Sequence, residues 1–262
     1  SGYRFGHAQI FDHMTMDGLE DAYNGEAMGI FAEKCVSKFG FTREEQDAFA
    51  VTSLERAQQA IKEGSFEREI APVTVKTRKG EVVCSIDEQP GKSVADKISQ
   101  MRPAFIKDGT VTAANASSIS DGAAALVLTR LSVAEKLGMK PLATIHAHST
   151  HSQEPEWFTT APVGAINKLL AKVAWSKDDV DLFEINEAFA CVTMAAMKEL
   201  GLPHEKVNIH GGACALGHPI GASGARIIVT LLGALQTYGK RKGVAAICIG
   251  GGEATAVAVE LI

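Results

Sequence analysis

The sequence predicts an α/β protein in which a layered domain, with a mixed sheet between helices, follows a mostly helical region. Three observations support this fold class. Residues 1 to about 118 are charged and carry helical apolar spacings with polar connections. Residues 119–262 are richer in Ala, Gly and Val and alternate strand-like with helix-like segments, which is typical of layered α/β domains. The last two strand-like segments flank Gly250–Gly252, which favours an antiparallel final pair and hence a mixed sheet.

Composition limits the classes of function. The 262 residues are 46% apolar and 22% charged, with a formal net charge of −5, so there is no general electrostatic case for a nucleic-acid or membrane partner. No apolar run reaches the roughly 20 residues that span a bilayer. Five scattered cysteines without a C-x-x-C pair argue against a disulfide framework and favour a reducing, cytoplasmic compartment. Because the chain begins at Ser1 without a signal-peptide pattern, we expect an internal start.

Helical signals dominate the first region. Apolar residues at helical spacing predict a helix within Gly25–Phe39. The run Thr42-Arg-Glu-Glu45 has the capping-box pattern, in which the threonine oxygen accepts a free N–H and the glutamate reaches back. A long helix to about Glu63 should follow, and Gly64 supplies its stop.

The signals then change to strand and loop. Val73–Lys76 and Glu81–Cys84 predict a hairpin around Arg78-Lys79-Gly80. The stretch Ile86–Val94, which contains a proline and a glycine, predicts a loop.

Strand and helix alternate through the second region. A second capping box, Ser132-Val-Ala-Glu135, predicts a short helix that ends at Gly138. The further predicted elements are a strand at Leu142–His148, a helix at Val163–Trp175 introduced by Pro162, a turn capped by Ser176 and Asp179, a strand at Asp181–Ile185, a buried helix at Ala188–Leu200, a short strand at Val207–Ile209 and a helix at Ser223–Tyr238.

The densest chemical signal is the glycine-rich segment from His210 to Gly224. His210, Cys214 and His218 are spaced by four, which on a helix would suit a metal ion. Intervening glycines and a proline make a continuous helix there improbable, so no metal site is predicted. We place His218 on a loop before a helix N-terminus, where partial positive charge suits a developing oxyanion. A structural histidine in a tight turn is the alternative.

Two further motifs carry polar or reactive groups. Asn186-Glu187 stands where a strand meets a buried helix; the asparagine is either a cap or a group that positions water and donates to an oxyanion. Cys248 precedes Gly250-Gly251-Gly252. It is either a buried thiol or, because the glycines leave room for a substrate, a proton shuttle or nucleophile.

These motifs together resemble a known family. Asn186-Glu-Ala-Phe, Gly217-His218-Pro and Cys248-x-Gly-Gly-Gly, in that order, resemble the signatures of thiolases. Arg102-Pro-Ala-Phe105 and Asn115-Ala-Ser117 extend the resemblance over essentially the whole chain. It implies a thiolase-like layered fold, with residues 1–118 as the helical, CoA-contacting loop region and residues 119–262 as the C-terminal domain.

The resemblance also implies a function. Thiolases interconvert two acyl-CoA molecules with a 3-ketoacyl-CoA and CoA through a covalent acyl-cysteine, using CoA thioesters as substrates and no cofactor. His218 then matches the histidine that activates the nucleophile and helps form an oxyanion hole. Asn186 matches the asparagine that orients a water in that hole, and Cys248 matches the cysteine that moves the α-proton. The matched pocket positions are Leu19, Met28, Phe105, Ser117 and Phe189.

The nucleophilic cysteine of that family is missing from this chain. Cys35 and Cys84 fall in segments that resemble the loop region, so neither substitutes for it. We therefore expect an absent N-terminal nucleophile domain, an exposed apolar face and no acyl transfer by this chain alone.

The resemblance favours the acetyl-CoA acetyltransferase type, as a homodimer or homotetramer, with His151–Thr160 shaping the acyl site. A non-catalytic acyl-CoA-binding or assembly protein is the main alternative. A ketoacyl synthase relative is less favoured because of the Cys-x-Gly-Gly-Gly setting of Cys248. A dinucleotide-binding module lacks its glycine fingerprint.

Overall fold

A computed structural model describes residues 2–262. Ser1, on which the expectation of an internal start rests, lies outside the described residues. The helices are α1 (Met28–Phe39), α2 (Arg43–Lys62), α3 (Glu88–Lys92), α4 (Leu131–Lys136), α5 (Ala161–Val173), α6 (Ala190–Leu200), α7 (Ala213–Leu216) and α8 (Ile220–Thr237). The strands are β1 (Val73–Thr77), β2 (Gly80–Cys84), β3 (Ala143–Ser152), β4 (Leu182–Ile185), β5 (Lys242–Ile249) and β6 (Glu253–Leu261).

The boundaries of α2 are set by local chemistry. Thr42 Oγ1 accepts a hydrogen bond from the Glu45 N–H at 3.1 Å, and the Thr42 N–H donates to Glu45 Oε2 at 2.8 Å. The predicted capping box is therefore confirmed. Beyond the helix, Gly64 has a φ of 72°, the left-handed conformation that lets glycine end a helix.

The segment after α2 combines a confirmed hairpin with one correction. β1 and β2 pair antiparallel in the register Thr77↔Gly80. The predicted loop Ile86–Val94 contains the short helix α3. Pro90 is tolerated there because the N–H groups of a first helical turn have no intrahelical acceptor.

The second predicted capping box is wrong. Helix α4 begins at Leu131 with Arg130 as its N-cap, and no side-chain capping bond is found at this end in the described chain. Ser132 lies inside the first turn, two residues after the N-cap position that Arg130 occupies. The sequence pattern of a capping box is present, but the helix begins at a different residue from the one that this pattern predicts.

A four-stranded mixed sheet forms the centre of the second region, as predicted. Its order is β3-β6-β5-β4, with β4 parallel to β5 and the other neighbours antiparallel. Alternate residues of β5 point to opposite faces. Val244 and Ala246 pack in a cluster with α5, whereas Ala245 packs in another with α8. Helices therefore cover both faces, which makes a layered α/β/α arrangement.

Two elements near the site differ from prediction. Val207–Ile209 is not a strand and makes only one bridge, between Val207 and Phe183, because Asn208 has a φ of 49° and leaves the extended region. Helix α8 begins at Ile220, three residues before the predicted start. The Pro219 carbonyl accepts from the N–H groups of Ala222 and Ser223, which closes the first turn early.

Apolar side chains are exposed along residues 119–145, and that they form a face for an N-terminal domain stays a prediction. Ile119 is 64% exposed and Val127 is 87% exposed. The apolar run Gly122–Leu128 forms no regular element. Among the described residues one helix, α8, is long and apolar enough to cross a bilayer by length and composition. Its Leu231 is fully buried in the cluster on the sheet, which is also typical of a core helix.

The two capping-box patterns provide a matched test of the fold. Thr42→Ala removes a cap whose loss costs about 1 kcal/mol of unfolding free energy, measured by urea denaturation of the chain. Ser132→Ala, at an exposed position that caps nothing, should change it by less than about 0.5 kcal/mol. Equal effects of the two substitutions would contradict this account of α2.

Candidate active site

Asn186 is positioned by the end of the central strands. It follows β4 directly, and its backbone N–H donates to the Ala246 carbonyl of β5 at 2.9 Å. Two residues later in β5 comes Cys248, so the strand pairing brings both motifs to one edge of the sheet. Asn186 is only 3% exposed, and a buried amide needs hydrogen-bond partners.

His218 lies between α7 and α8, where the backbone permits few conformations. Gly217 has a φ of 88°, and a Cβ there would overlap the Ser120 hydroxyl, so only glycine fits. The His218 N–H donates to the Ser118 carbonyl at 3.0 Å. The predicted loop position before a helix start is confirmed.

Both ring nitrogens of His218 have neighbours. Nδ1 lies 2.6 Å from Ser223 Oγ, and Nε2 lies 3.4 Å from Asn186 Nδ2. Burial, and then the positive charge of Arg226, lower the pKa of His218. The imidazole is therefore neutral near pH 7 and has one nitrogen free to accept a proton.

Cys248 is buried near the end of β5, in an apolar cluster that also contains Phe189, with Met28 packed against it. Burial raises the pKa of the Cys248 thiol to about 12, so the protonated form dominates at neutral pH. The backbone after Cys248 requires glycine at one position, because a Cβ at Gly252 would overlap the Gln153 carbonyl and Gly252 has a φ of 89°.

Contacts link four of the five predicted pocket residues, and the fifth is not part of the buried cluster that contains Cys248. The Phe105 ring meets Phe189 edge-on at 6.0 Å between centroids, and Phe189 and Met28 share the cluster with Cys248. Ser117 Oγ donates to the Ala188 carbonyl at 2.9 Å. Leu19 is in the single helical turn Thr15–Leu19, outside this cluster.

The stretch His151–Thr160 also reaches the site. Its Phe158 is 3% exposed, belongs to the cluster with Cys248 and packs edge-on against Phe31 at 6.1 Å. Its expected role in shaping an acyl site stays a prediction.

Residues 115–118, in the first region, form hydrogen bonds to the two segments that carry Asn186 and His218. The Asn115 carbonyl accepts from the Ala190 N–H at 2.7 Å, and the Ser117 N–H donates to the Ala188 carbonyl at 3.0 Å. Through Ser118 the same segment binds the backbone of His218. It is fixed in turn because Asn115 Nδ2 donates to Asp47 of α2 at 3.1 Å.

The sequence reasoning missed the partners of Glu187, which is 1% exposed. Its carboxylate accepts hydrogen bonds from Ser53 Oγ at 2.7 Å, from Asn208 Nδ2 at 2.8 Å and from the Cys214 N–H at 3.0 Å. A Cβ at Gly212 would overlap this carboxylate. The Asn186-Glu187 pair was the available signal, but partners so distant in sequence have no local pattern.

The histidine and cysteine residues of the glycine-rich segment do not converge on a metal. Within residues 2–262 no group of three metal-binding side chains is found. Helix α7 covers only Ala213–Leu216, and His210 packs edge-on against Phe66. The three positions spaced by four therefore do not share a helix face.

The other four cysteines differ in their surroundings. Cys35 in α1 and Cys191 in α6 are both fully buried, and Cys84 is exposed on β2. The Cys214 Sγ lies 3.9 Å from the Glu187 carbonyl, and burial raises its pKa well above the ordinary value.

Comparison with known protein families agrees with the resemblance that the sequence motifs show. Residues 1–132 match the N-terminal domain of thiolases, and residues 139–261 match the thiolase C-terminal domain. The chain therefore belongs to the thiolase family, as the motifs predicted. The division predicted between residues 118 and 119 stays a prediction.

Individual relatives and solved structures of the family are similar to this chain over most of its length. The chain is 51% identical over 261 residues to an acetyl-CoA acetyltransferase of Chromobacterium violaceum, covering 99% of this chain and 67% of the relative. It is 50% identical to a cytosolic acetyl-CoA acetyltransferase of Mus musculus, covering 99% and 66%. The crystal structure of the Bacillus anthracis acetyl-CoA acetyltransferase superposes with a TM-score of 0.95 at 45% identity, over all of this chain and 66% of that one.

A further solved structure is of a thiolase with its ligand. Acat5 thiolase from Ascaris suum, solved in complex with coenzyme A, has a TM-score of 0.88 at 41% identity and is covered over 67% of its length. The chain thus spans about two thirds of the length of the proteins it matches. The predicted α/β thiolase fold is confirmed.

Replacing the buried carboxylate tests its role in placing the site. In Glu187→Gln the amide must turn its NH₂ group toward Asn208, Ser53 or Cys214, all of which are donors to this carboxylate. We expect a loss of roughly 1–3 kcal/mol in unfolding free energy by urea denaturation.

Glu184→Gln is the matched control. Glu184 is also buried, and burial raises its pKa well above the ordinary value, which favours the uncharged acid that an amide resembles. The control should lose less than about 1 kcal/mol; a loss as large as that of Glu187→Gln would count against the specific role of Glu187.

Alkylation distinguishes the cysteines. Iodoacetamide at about pH 7 should modify the exposed Cys84 first, as seen by peptide mass spectrometry, and Cys84→Ser should remove that adduct. Modification of Cys248 should be slow and rise roughly tenfold per pH unit, because the thiolate is the reactive form. Rapid alkylation of Cys248 near neutral pH would show that its pKa is not raised.

Proposed function

We propose that this protein is an acyltransferase of the thiolase type that condenses two acetyl-CoA molecules to acetoacetyl-CoA and CoA, or catalyses the reverse thiolysis. The observation that carries the proposal is the meeting of Asn186 and His218, 3.4 Å apart, at the strand edge that also carries Cys248. The names of the relatives support the same chemistry.

In the first half-reaction a cysteine thiol attacks the thioester carbonyl of acetyl-CoA. His218 is neutral because burial lowers its pKa, so it accepts the thiol proton as the sulfur–carbon bond forms. The carbonyl oxygen gains negative charge. Donors from protonated His218 and from a water held by Asn186 stabilise this oxyanion until the CoA thiolate leaves.

In the second half-reaction Cys248 acts on the α-carbon of a second acetyl-CoA. The raised pKa of the Cys248 thiol, about 12, makes its thiolate a strong base. The thiol protonates the departing CoA thiolate, and the resulting Cys248 thiolate then removes an α-proton. The enolate attacks the acyl carbon and releases the first cysteine.

We further propose that the acylated cysteine is none of the five in this chain. Cys35 and Cys191 are enclosed in the core, Cys84 lies on the hairpin and Cys214 is held beside Glu187. Cys248 is already assigned as the base. By itself, the 262-residue chain should then carry out no acyl transfer, and the nucleophile must come from another polypeptide segment.

The substrate is proposed to lie along the pocket residues. Phe105, Phe189 and Met28 offer an apolar wall, suited to a pantetheine arm, that leads to Cys248. Ser117 and Leu19 are assigned to the same CoA site by the family match. A homodimer or homotetramer in the cytoplasm is proposed on the same family grounds, supported by the cytosolic mouse relative.

Complementation tests this function. The chain alone, incubated with acetyl-CoA, should form no acetoacetyl-CoA. Co-expression with the segment of the Chromobacterium violaceum relative that this chain does not cover should restore turnover, measured by CoA release.

Two variants control the experiment. His218→Ala in the complemented sample should lose about 10²–10⁴-fold in rate, and Phe105→Ala should weaken CoA binding by the chain alone, measured by calorimetry. Turnover by the chain alone would contradict the proposed absence of the nucleophile. Normal CoA binding without turnover after complementation would favour a non-catalytic CoA-binding protein.

A further inference from the structure

His218 is held through its second ring nitrogen by a residue that the motifs did not single out. Nδ1 lies 2.6 Å from Ser223 Oγ, and Ser223 is 2% exposed. Such burial leaves little room for water to compete for the Ser223 hydroxyl. Ser223 lies in the first turn of α8, where its backbone N–H donates to the Pro219 carbonyl at 2.9 Å, so the position of its side chain is set by the helix.

The hydrogen-bond inventory of Ser223 determines what it can offer the ring. A serine hydroxyl has one proton and two lone pairs. Ser223 Oγ donates to the Pro219 carbonyl at 3.0 Å, one turn earlier, a bond that hydroxyls in helices commonly make. Although that carbonyl also accepts from the N–H groups of Ala222 and Ser223, a hydroxyl proton directed to it leaves Ser223 only acceptor capacity toward Nδ1. Nδ1 must then carry the ring proton.

The other side of the ring is consistent with this assignment. Asn186 Nδ2, an amide donor, faces Nε2 at 3.4 Å, a long contact that is compatible with a lone pair on Nε2 but too weak to fix it. Burial lowers the pKa of His218, so a single ring proton is present near pH 7. Ser223 therefore decides that this proton lies on Nδ1, and the contact with Asn186 agrees with that position.

We propose that Ser223 is a positioning residue that holds neutral His218 in its Nδ1–H tautomer and leaves Nε2 as the proton acceptor in the site. The catalytic consequence rests on the function proposed above. When a thiol attacks a thioester, its S–H bond breaks and an Nε2–H bond forms, while the sulfur electron pair makes the new S–C bond. Nδ1–H stays bonded to Ser223, so Nε2–H is the ring N–H that can donate to the oxyanion.

The backbone around His218 keeps the ring aimed at Ser223. Gly217 has its left-handed φ of 88° and packs against Ser120, and the His218 N–H is bound to the Ser118 carbonyl. Pro219 fixes the following φ. A ring held from both sides keeps its orientation, and only the position of its proton can change. The tautomer is therefore the property that Ser223 controls.

The tautomer is measured directly in the chain. Long-range proton–nitrogen correlation spectra of the nitrogen-15 histidine-labelled protein, at about pH 8 and so above the ordinary histidine pKa, distinguish a protonated from an unprotonated ring nitrogen. The His218 signals are those that vanish in His218→Gln. We expect Nδ1 to be protonated and Nε2 unprotonated in the parent chain.

Variants of Ser223 test the cause. In Ser223→Ala the proton should shift wholly or partly to Nε2, whereas Ser223→Thr, which keeps a hydroxyl, should restore Nδ1–H. Thr230→Val, which deletes another buried hydroxyl of α8, should leave the His218 signals unchanged. A parent chain with Nε2–H, or a Ser223→Ala variant that retains Nδ1–H, would overturn the proposal.

An activity measurement separates this proposal from the proposed function. In the complemented sample Ser223→Ala should lower kcat about 10–100-fold with little change in KM, because general-base catalysis needs the correct tautomer. An unchanged kcat with the tautomer shifted would overturn the catalytic consequence. If the parent complemented sample has no turnover while the spectra show Nδ1–H, the proposed function fails and the tautomer assignment stands.

Discussion

Moving a carboxylate from water into a protein interior costs several kcal/mol unless hydrogen-bond donors replace the water. At Glu187 those donors come from three separate parts of the chain: Ser53 of α2, Asn208 before the glycine-rich segment and the Cys214 N–H of α7. Asn208 is itself fixed, since it both donates to and accepts from the backbone of Ile185. The positions of Asn186, immediately before Glu187, and of the loop to His218 therefore follow from satisfying one buried group.

Burial also sets the protonation states of the chemical groups. It raises the pKa of Cys248 and lowers that of His218, so both are neutral near pH 7, one as a proton donor and the other as a proton acceptor. The same burial raises the pKa of Glu187, although its three donors act in the opposite direction. His218 and Cys248 therefore carry no charge at rest, and charge develops on them only when a substrate provides an oxyanion or a thiolate, which fixed donors stabilise.

The features that the sequence predicted depend on residues close together in the chain, whereas those that it could not predict depend on residues far apart. Local patterns were sufficient for the Thr42 cap, the hairpin, the final strand pair and the loop position of His218, because glycine, proline and capping residues act within a few positions. The Ser132 cap failed because the same pattern fits two helix registers. Val207–Ile209 has strand-like residues, but the contacts of Asn208 with Ile185 and Glu187 impose a left-handed turn. The partners of Glu187 are 21, 27 and 134 residues away from it in sequence. They and the apposition of Phe105 and Phe189 depend on packing between distant parts of the chain.

The candidate site is shared by both regions of the chain. Residues 115–118, in the first region, bind the backbone beside Asn186 through Ala188 and Ala190 and bind His218 through Ser118. This segment is anchored to α2 by Asp47, which also accepts from Arg43 at 2.7 Å. A disturbance of α2 therefore reaches Asn186 and His218 together, through Ser53 on one side and Asn115 on the other. Cys248 depends on the strand pairing within the sheet, which also positions Asn186 through the bond of its N–H to Ala246. Asn186 therefore links the support of His218 to that of Cys248.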